Sequence, residues 1–212
     1  MTAQPALTYD EAVANQEQVL IKGQLAKADV FITRSEGRRF IVKDYARKGF
    51  WERNCLGRVF ISREAKAYAA LTGIEGLPQR SKRLSAFTFA IEYLEGRDLG
   101  SLRPGDEWDD VIRQFERIMQ GLHDRGWVHL DLHRRTNILL VGGRVYVVDL
   151  ASALHTGSLP LIGRGFTWLV GLADRLSLIK MKAIFAPGLL TAQERRILVF
   201  RNFCMPVKWR PD

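Results

Sequence analysis

Residues 127–149 read WVHLDLHRRTNILLVGGRVYVVD, and much of the architecture can be worked out from this segment. It contains a polar cluster at 129–137, then two short runs of strand-forming residues at 138–141 and 145–148, separated by a Gly142-Gly143 turn. Two such runs around a glycine pair predict a β-hairpin. Antiparallel pairing places the start of the first strand beside the end of the second. The polar cluster is therefore predicted to lie beside the residue that follows the second strand.

The open end of this hairpin gathers two carboxylates and an amide. Asp131 and Asn137 precede the first strand, and Asp149 follows the second. Hard oxygen ligands of this kind suit Mg²⁺, which binds through one or two carboxylates and fills its shell with water and phosphate oxygens. Taken singly, Asp131 and Asn137 would be interpreted as loop-capping residues. The rest of the pattern favours a metal-binding role.

Before this segment, the sequence pattern predicts several strands and one helix. Residues 30–33 and 40–43 are β-branched and aromatic runs joined by a polar loop with a glycine, which predicts another hairpin. Residues 58–71 have apolar positions at helical spacing, and Glu64 falls on that same apolar side. A carboxylate there is costly unless it meets a cation. A further strand is predicted at 88–91.

Helices are predicted on both sides of the hairpin segment. Residues 106–126 carry apolar side chains in a 3-4-3 rhythm, with Asp106 as the predicted cap. A second helical stripe consists of Trp168, Leu169, Leu172, Leu176 and Ile179. Its neighbouring cations are Arg164, Arg175, Lys180 and Lys182. Two alternatives follow for this second helix: a buried core helix, which is favoured, or a helix lying against an anionic membrane.

The composition is that of a folded globular protein, with 212 residues of which 47% are hydrophobic and 26% charged. Cys55 and Cys204 alone form neither a disulfide framework nor a zinc site, which indicates a reducing compartment. The N-terminal residues carry no secretory signal, and charges interrupt the apolar stretch 159–185. A cytoplasmic location is therefore predicted.

The formal net charge of +9 is concentrated in two segments. Residues 34–66 carry ten Lys and Arg against four Asp and Glu, and residues 155–212 carry nine against three. Such a balance suits nucleic acid, anionic lipid or a phosphorylated ligand, and it also fits an ordinary solvated face. Charge alone leaves these alternatives open.

The motifs resemble those of the protein-kinase-like fold. The HLDLH segment at 129–133, followed by Asn137, resembles a kinase catalytic loop, in which an Asp orients and deprotonates the acceptor hydroxyl and an Asn holds a metal. The segment VVDLA at 147–151 resembles the metal-binding Asp segment, with Leu-Ala in place of the usual Phe-Gly. The resemblance implies Asp131 as catalytic base and Asp149, with Asn137, as metal ligands.

The strand ending at Lys43 resembles the one whose Lys grips the α- and β-phosphates, and Glu64 resembles its helical partner. A Lys43–Glu64 ion pair would satisfy both charges, so the resemblance adds these two residues to Asp131 as catalytic. One departure concerns the catalytic loop, where Asn137 stands six positions after Asp131 instead of five. Either residues 134–136 bulge, or Asn137 is displaced and the second metal site is altered.

The nucleotide-binding elements of the resemblance are a hinge and a covering loop. Residues 92–94 resemble the hinge whose backbone groups bind adenine, which implies Glu92 and Leu94 as nucleotide contacts. The covering loop, at 22–30, has one glycine where typical kinases have three. Within it, Lys27 either contacts phosphate or is simply exposed to solvent.

The implied fold class is α+β, a bilobal protein-kinase-like fold. Residues 1–91 would form the nucleotide-binding lobe, an antiparallel sheet with one helix, 92–96 the hinge, and 97–212 a reduced, mainly helical catalytic lobe. No Ala-Pro-Glu segment follows Asp149, so an activation loop of the regulated kind is not expected. Asp174 resembles a residue that braces the catalytic loop through hydrogen bonds.

His133 stands where ordinary protein kinases carry Lys, which resembles the lipopolysaccharide-core sugar kinases, the RIO-type kinases and the aminoglycoside or choline phosphotransferases. The implied function is transfer of the γ-phosphoryl group of ATP, with Mg²⁺ or alternatively Mn²⁺, to a hydroxyl of a lipopolysaccharide core sugar. A RIO-like Ser/Thr protein kinase is the alternative. A nucleotide-binding pseudokinase is disfavoured, because the Lys, the Glu and both Asp residues are present.

The implied partners are ATP and an anionic glycolipid or protein acceptor. Peripheral contact with the anionic inner membrane is a further expectation, and a dedicated nucleic-acid-binding domain is not expected.

Overall fold

The computed structural model describes residues 6–24, 27–102, 108–132, 134–156 and 163–204. An antiparallel sheet occupies the first part of the chain, and smaller sheets with long helices follow. The predicted α+β class is thus confirmed. Several predicted features lie outside the described residues or side chains, namely Asp106, His133 and the side chains of Arg164, Trp168 and Leu169.

The large sheet is built around the strands predicted at 30–33, 40–43 and 88–91. Its strands are β1 (Gln16–Ile21), β2 (Asp29–Ser35), β3 (Arg38–Asp44), β4 (Ser81–Arg83) and β5 (Thr88–Glu92), ordered β1-β2-β3-β5-β4. All neighbours are antiparallel. The edge strand β1 was not predicted, because all its residues are exposed and its sequence shows no alternation.

Alternation along the central strands sends side chains to two different layers. On one face, Phe40 and Val42 of β3 pack with Leu7 and with Ala12 of helix α1 (Tyr9–Ala14). The opposite face carries Ile41 and Lys43, beside helix α2 (Arg58–Ala70). Because successive strand residues point to opposite faces, the sequence places Lys43 on the α2 side.

The predicted hairpin is present in the second part of the chain. Its strands are β8 (Ile138–Val141) and β9 (Arg144–Val147), after the short β6 (Arg97–Asp98) and β7 (Trp127–Val128) and before β10 (Leu154–His155). β6 extends the hairpin to three strands, and β7 pairs with β10. Gly142 and Gly143 have φ angles of 54° and 80°, which the tight turn requires and glycine adopts without strain.

Three helices complete the described chain: α3 (Trp108–Asp124), α4 (Gly163–Phe185) and α5 (Ala192–Cys204). The apolar stripe predicted for α3 is buried along the whole helix. In α4, Ile179 and Met181 are buried, and Lys182 is enclosed between Glu116 and Glu194. This end of α4 therefore belongs to the core, as the favoured alternative predicted. Among the described residues, no helix combines the length and apolarity needed to cross a membrane.

Candidate active site

The open end of the β8–β9 hairpin brings the predicted polar residues together. Ile138 pairs with Val147, and the Val148 N–H donates to the Asn137 carbonyl oxygen at 2.9 Å. Asn137 and Asp149 therefore flank the same end of the hairpin. The Asn137 side chain also donates from Nδ2 to the Asp131 carbonyl oxygen at 3.0 Å and to Asp131 Oδ2 at 3.2 Å.

A short 3₁₀ turn at Arg135–Asn137 ends the loop before β8. Within it, the Asn137 N–H donates to the Arg134 carbonyl oxygen at 3.0 Å. Asn137 is only 6% exposed, and its side chain contacts Asp131. The turn overlaps the residues for which the sequence left a bulge as one alternative.

Lys43 connects the large sheet to this hairpin. Its ammonium nitrogen lies 2.7 Å from Glu64 Oε1 and 2.7 Å from Asp149 Oδ1. The apolar position of Glu64 predicted that it would meet a cation, and the resemblance implied that this cation is Lys43. The contact with Asp149 was not predicted, since no periodicity relates two residues that are 106 positions apart.

The charges of Lys43, Asp149 and Glu64 influence one another's pKa values. Burial lowers the pKa of Lys43, but the two flanking carboxylates more than offset this and raise it above its ordinary value. Burial raises the pKa of Asp149, yet the Lys43 charge and hydrogen bonds from Lys43 and Ala151 leave it below its ordinary value. For Glu64, burial outweighs the attraction of Lys43 and raises the pKa. Lys43 is therefore held as a cation near neutral pH, facing an ionised Asp149.

The loop before β8 is fixed by a buried carboxylate on α4. Asp174, 1% exposed, accepts the N–H of His129 at 2.7 Å and the N–H of Leu130 at 2.9 Å. Leu130 adopts a φ angle of 68°, and Asp149 one of 63°. Left-handed conformations are rare for residues other than glycine, and they persist where the surroundings impose them. The structure thus places Asp174 in the bracing position implied by the resemblance.

His129 lies at the centre of the loop and is fully buried. Its Nε2 is 3.1 Å from the Val148 carbonyl oxygen, and its Nδ1 accepts the Asp131 N–H at 3.3 Å. A carbonyl oxygen only accepts, so Nε2 carries the proton and the ring is neutral. Burial lowers the pKa of His129 from its ordinary value, in agreement with that state. The ring links the residues before Asp131 to those before Asp149.

Glu92 ends a strand of the large sheet, and Leu94 and Lys27 lie outside its strands. The Glu92 N–H donates to the Arg80 carbonyl oxygen, and the Glu92 carboxylate accepts the Gln79 N–H. Within the described chain, the Leu94 N–H makes no backbone hydrogen bond. Lys27 is exposed, and no hydrogen bond or ion pair among the described residues joins it to the Lys43 cluster. The structure therefore does not bring Lys27 into the cluster.

Lys48, which sequence reasoning missed, joins Gly23 to Asp29 in the segment that the resemblance implied as a covering loop. Its ammonium nitrogen lies 2.7 Å from the Gly23 carbonyl oxygen and 2.7 Å from Asp29 Oδ1. The Gly23 N–H donates to the same carboxylate oxygen at 2.9 Å. The only available signal was the basic content of residues 34–66, which does not single out Lys48.

The donor set fits a magnesium ion that shares its shell with a phosphorylated ligand. Asp149 is 40% exposed on its side chain, and Asn137 lies beside Asp131. In the described ranges, no group of three or more His, Cys, Asp or Glu side chains is arranged to hold a metal by itself. One or two carboxylates with an amide oxygen match the needs of Mg²⁺ when water and phosphate oxygens supply the other ligands.

No protein-family model matches the chain, and its sequence matches no curated protein at a significant level. The functional interpretation therefore depends on the residues and their geometry.

Proposed function

We propose that the protein is an ATP-dependent phosphotransferase with a bilobal, protein-kinase-like arrangement, and that its acceptor is a hydroxyl group of a lipopolysaccharide core sugar. The observation that carries this proposal is the position of Lys43. Its ammonium group, 2.7 Å from both Glu64 and Asp149, lies next to the hairpin end that carries Asp131 and Asn137. One cation, two metal-compatible groups and a potential base are the parts that phosphoryl transfer requires.

The bilobal arrangement is supported by the division of the elements along the chain. The large sheet, which α2 accompanies, ends at Glu92, and a short non-helical link leads to β6 and the helical part. The Lys43–Asp149 contact joins the two parts. A nucleotide would lie between them, with its adenine at the Leu94 N–H and its phosphates beside Lys43.

The charge on Lys43 suits contact with phosphates. Because its pKa is raised, it remains protonated in the working pH range. Glu64 fixes the direction of the ammonium group, so little reorganisation is required when phosphates bind. Bound Mg²⁺ would supply further neutralisation of the phosphate charge, and Asp149 with Asn137 are the residues that would hold it.

Asp131 is the residue that would take the acceptor proton. The hydroxyl oxygen forms a bond to the γ-phosphorus, the bond from that phosphorus to the ADP oxygen breaks, and the hydroxyl proton passes to the Asp131 carboxylate. Arg134 Nε lies 3.3 Å from Asp131 Oδ1. Its side chain is 65% exposed, so it can turn toward an incoming anionic acceptor.

An anionic acceptor agrees with the charge of the protein. The chain carries 32 Lys and Arg against 23 Asp and Glu. Lipopolysaccharide core sugars are linked to a phosphorylated glycolipid, so the excess of basic residues favours this acceptor through long-range attraction. A protein kinase of the RIO type is the competing enzyme, and a nucleotide-binding scaffold is the non-catalytic alternative.

The deciding experiment offers purified core glycolipid and a generic basic protein side by side, with labelled ATP and Mg²⁺. Label on the glycolipid is expected, and label on protein alone would replace the proposed acceptor with the RIO-like one.

Asp131→Ala is expected to lower turnover by about 10³-fold, while binding of a fluorescent ATP analogue survives. Asp109→Ala, which removes an exposed carboxylate on α3, is the matched control and should keep full turnover. Nucleotide binding without turnover on any acceptor would favour the scaffold.

A further inference from the structure

Four large apolar side chains are exposed around the start of α2. Phe50 is 66% exposed, Trp51 75%, Leu56 38% and Val59 51%. We call these four residues the aromatic patch. Scattered single exposed apolar residues are normal, whereas these four lie within ten positions, and two of them are aromatic.

The segment that carries the aromatic patch is firmly anchored on its inner side. Residues Glu52–Gly57 form a π-helical turn that continues into α2. A Cβ atom at Gly57 would lie 2.6 Å from the Tyr45 side chain, so only glycine permits this close packing. The Arg53 guanidinium lies over the Phe87 ring, 5.1 Å from its centroid. The aromatic patch is therefore the outer surface of a well-packed turn.

Within the patch, the two aromatic rings are arranged edge to face. The ring centroids of Phe50 and Trp51 are 5.8 Å apart, with an interplanar angle of 86°. Rings exposed to this extent protrude from the surface, in contrast to rings that line a groove. A protruding pair of rings suits insertion into a fluid medium such as a lipid layer.

The charge around the patch is strongly positive at the surface. Residues 44–66 contain six Lys and Arg against three Asp and Glu. Two of those acids, Asp44 and Glu64, are buried and already paired. Arg47 and Arg58 are exposed, and Arg58 directly precedes Val59 in the chain. Lys48 is paired with Asp29, and Glu52 is the only one of the three acids that is not buried. This segment therefore combines exposed apolar rings with an excess of basic side chains.

We propose that the aromatic patch, together with Arg47 and Arg58, docks the protein on an anionic lipid bilayer. Trp and Phe rings are favoured at the boundary between headgroups and acyl chains, where Arg side chains can reach lipid phosphates. Each basic residue near an anionic surface contributes about 1 kcal/mol of attraction. A protein partner would have to present an acidic cavity that receives two protruding rings, whereas a bilayer accepts them without such matching.

The aromatic patch is not on α4, the helix for which the sequence left contact with an anionic membrane as an alternative. Lys182 of α4 is enclosed by Glu116 and Glu194 and cannot contact lipid. Docking through the aromatic patch would bring the enzyme to a membrane-anchored acceptor, and that consequence alone rests on the proposed function. The docking itself is independent of phosphoryl transfer.

The test uses the full chain with vesicles of phosphatidylcholine, with and without phosphatidylglycerol. Cosedimentation with the anionic vesicles is expected, and binding should weaken as salt is raised. Trp51→Ser should weaken vesicle binding about tenfold, because a large apolar ring is lost from the interface. Arg58→Gln should weaken it about fivefold. Matched controls are Val199→Ser and Arg38→Gln, which alter exposed residues outside the patch and should bind as the wild type does.

A second measurement reports the contact directly. Cys55 is exposed within the same turn, so a polarity-sensitive dye on it, in a Cys204→Ser background, should shift to shorter emission wavelength with anionic vesicles. Unchanged emission, or equal vesicle binding by wild type and Trp51→Ser, would overturn the proposal. A concentration-dependent dimer abolished by Trp51→Ser, without vesicle binding, would assign the patch to a protein interface. ATP turnover without vesicles should be the same in wild type and Trp51→Ser, which separates this test from that of the proposed function.

Discussion

The ammonium nitrogen of Lys43 lies 2.7 Å from Oδ1 of Asp149, although the two residues are 106 positions apart in the chain. Lys43 belongs to a central strand of the large sheet, and Asp149 follows the hairpin of the second part. On its other side, the same ammonium group meets Glu64. One buried cation therefore holds a strand, a helix and the hairpin end at a single point.

Replacing Lys43 by Met should destabilise the protein by about 3 kcal/mol, because Glu64 would remain buried without a cation. The double variant Lys43→Met with Glu64→Gln should recover part of this loss, since it removes the uncompensated charge. Urea denaturation of both variants gives the free energies of unfolding. Equal stability of the single and double variants would show that Glu64 is not left ionised.

Features of the fold that a local sequence pattern indicates could be predicted. Glu64 interrupts an apolar helical face, and such a carboxylate requires a cation, although the pattern alone did not identify Lys43 as that cation. The Gly142-Gly143 turn between two strand-forming runs fixed the hairpin and, with it, the proximity of Asn137 and Asp149. These inferences use local patterns of period 2 or 3.6. They also use the rule that antiparallel pairing places the start of the first strand beside the end of the second.

Features that depend on tertiary packing could not be predicted in the same way. The left-handed conformation of Leu130 is imposed by hydrogen bonds to Asp174, which is 44 positions away from it. Nothing in the residue type of Leu130 indicates this conformation. The π-helical turn at Glu52–Gly57 and the contact of Lys48 with Asp29 likewise arise from packing between distant segments.

The contact between Asn137 and Asp131 leads to a prediction about metal affinity. Under the proposed function, Asn137→Ala should raise the Mg²⁺ concentration for half-maximal turnover about tenfold, because one ligand is lost. Asn137→Asp would place a second carboxylate within hydrogen-bonding distance of Asp131, so repulsion should raise the pKa of the pair. The pH profile of turnover should then shift upward for Asn137→Asp and not for Asn137→Ala. Identical profiles would contradict this account.

The neutral state of His129 predicts how stability depends on pH. Its folded-state pKa lies below the ordinary value of 6.5, so the unfolded chain binds a proton at a higher pH than the folded one. The stability contribution is therefore complete above about pH 6.5 and declines as the pH falls below it. His129→Gln should flatten the change in unfolding free energy between pH 7.5 and 5.5.

The control for this titration is Val199→Ser, which alters an exposed side chain without a titratable group and should keep the slope of the wild type. Comparing variants cancels the contributions of carboxylates such as Glu64. The raised pKa of Glu64 makes the unfolding free energy fall as the pH rises, opposite to the effect of His129. A slope in His129→Gln equal to that of the wild type would assign the pH dependence to other groups.

Under the proposed function, Asp174 should act on turnover through the loop that it holds. Asp174→Ala leaves the N–H groups of His129 and Leu130 without an acceptor and should cost about 3 kcal/mol of unfolding free energy. Asp174→Asn keeps one accepting oxygen, so most of the stability should remain while the position of Asp131 relaxes. Turnover should then fall about 10²-fold, since displacements near 1 Å have effects of that size, with little change in KM for ATP.

A merely structural role for Asp174 would give a different result. Asp98→Asn is the control, because Asp98 accepts the Ser101 N–H in an exposed turn and a comparable bond is weakened there. This variant should keep the turnover of the wild type. If Asp174→Asn and Asp98→Asn turn over equally, the hydrogen bonds of Asp174 serve stability alone. A selective loss of kcat in Asp174→Asn, with the fold intact by circular dichroism, identifies Asp174 as a positioning residue for Asp131.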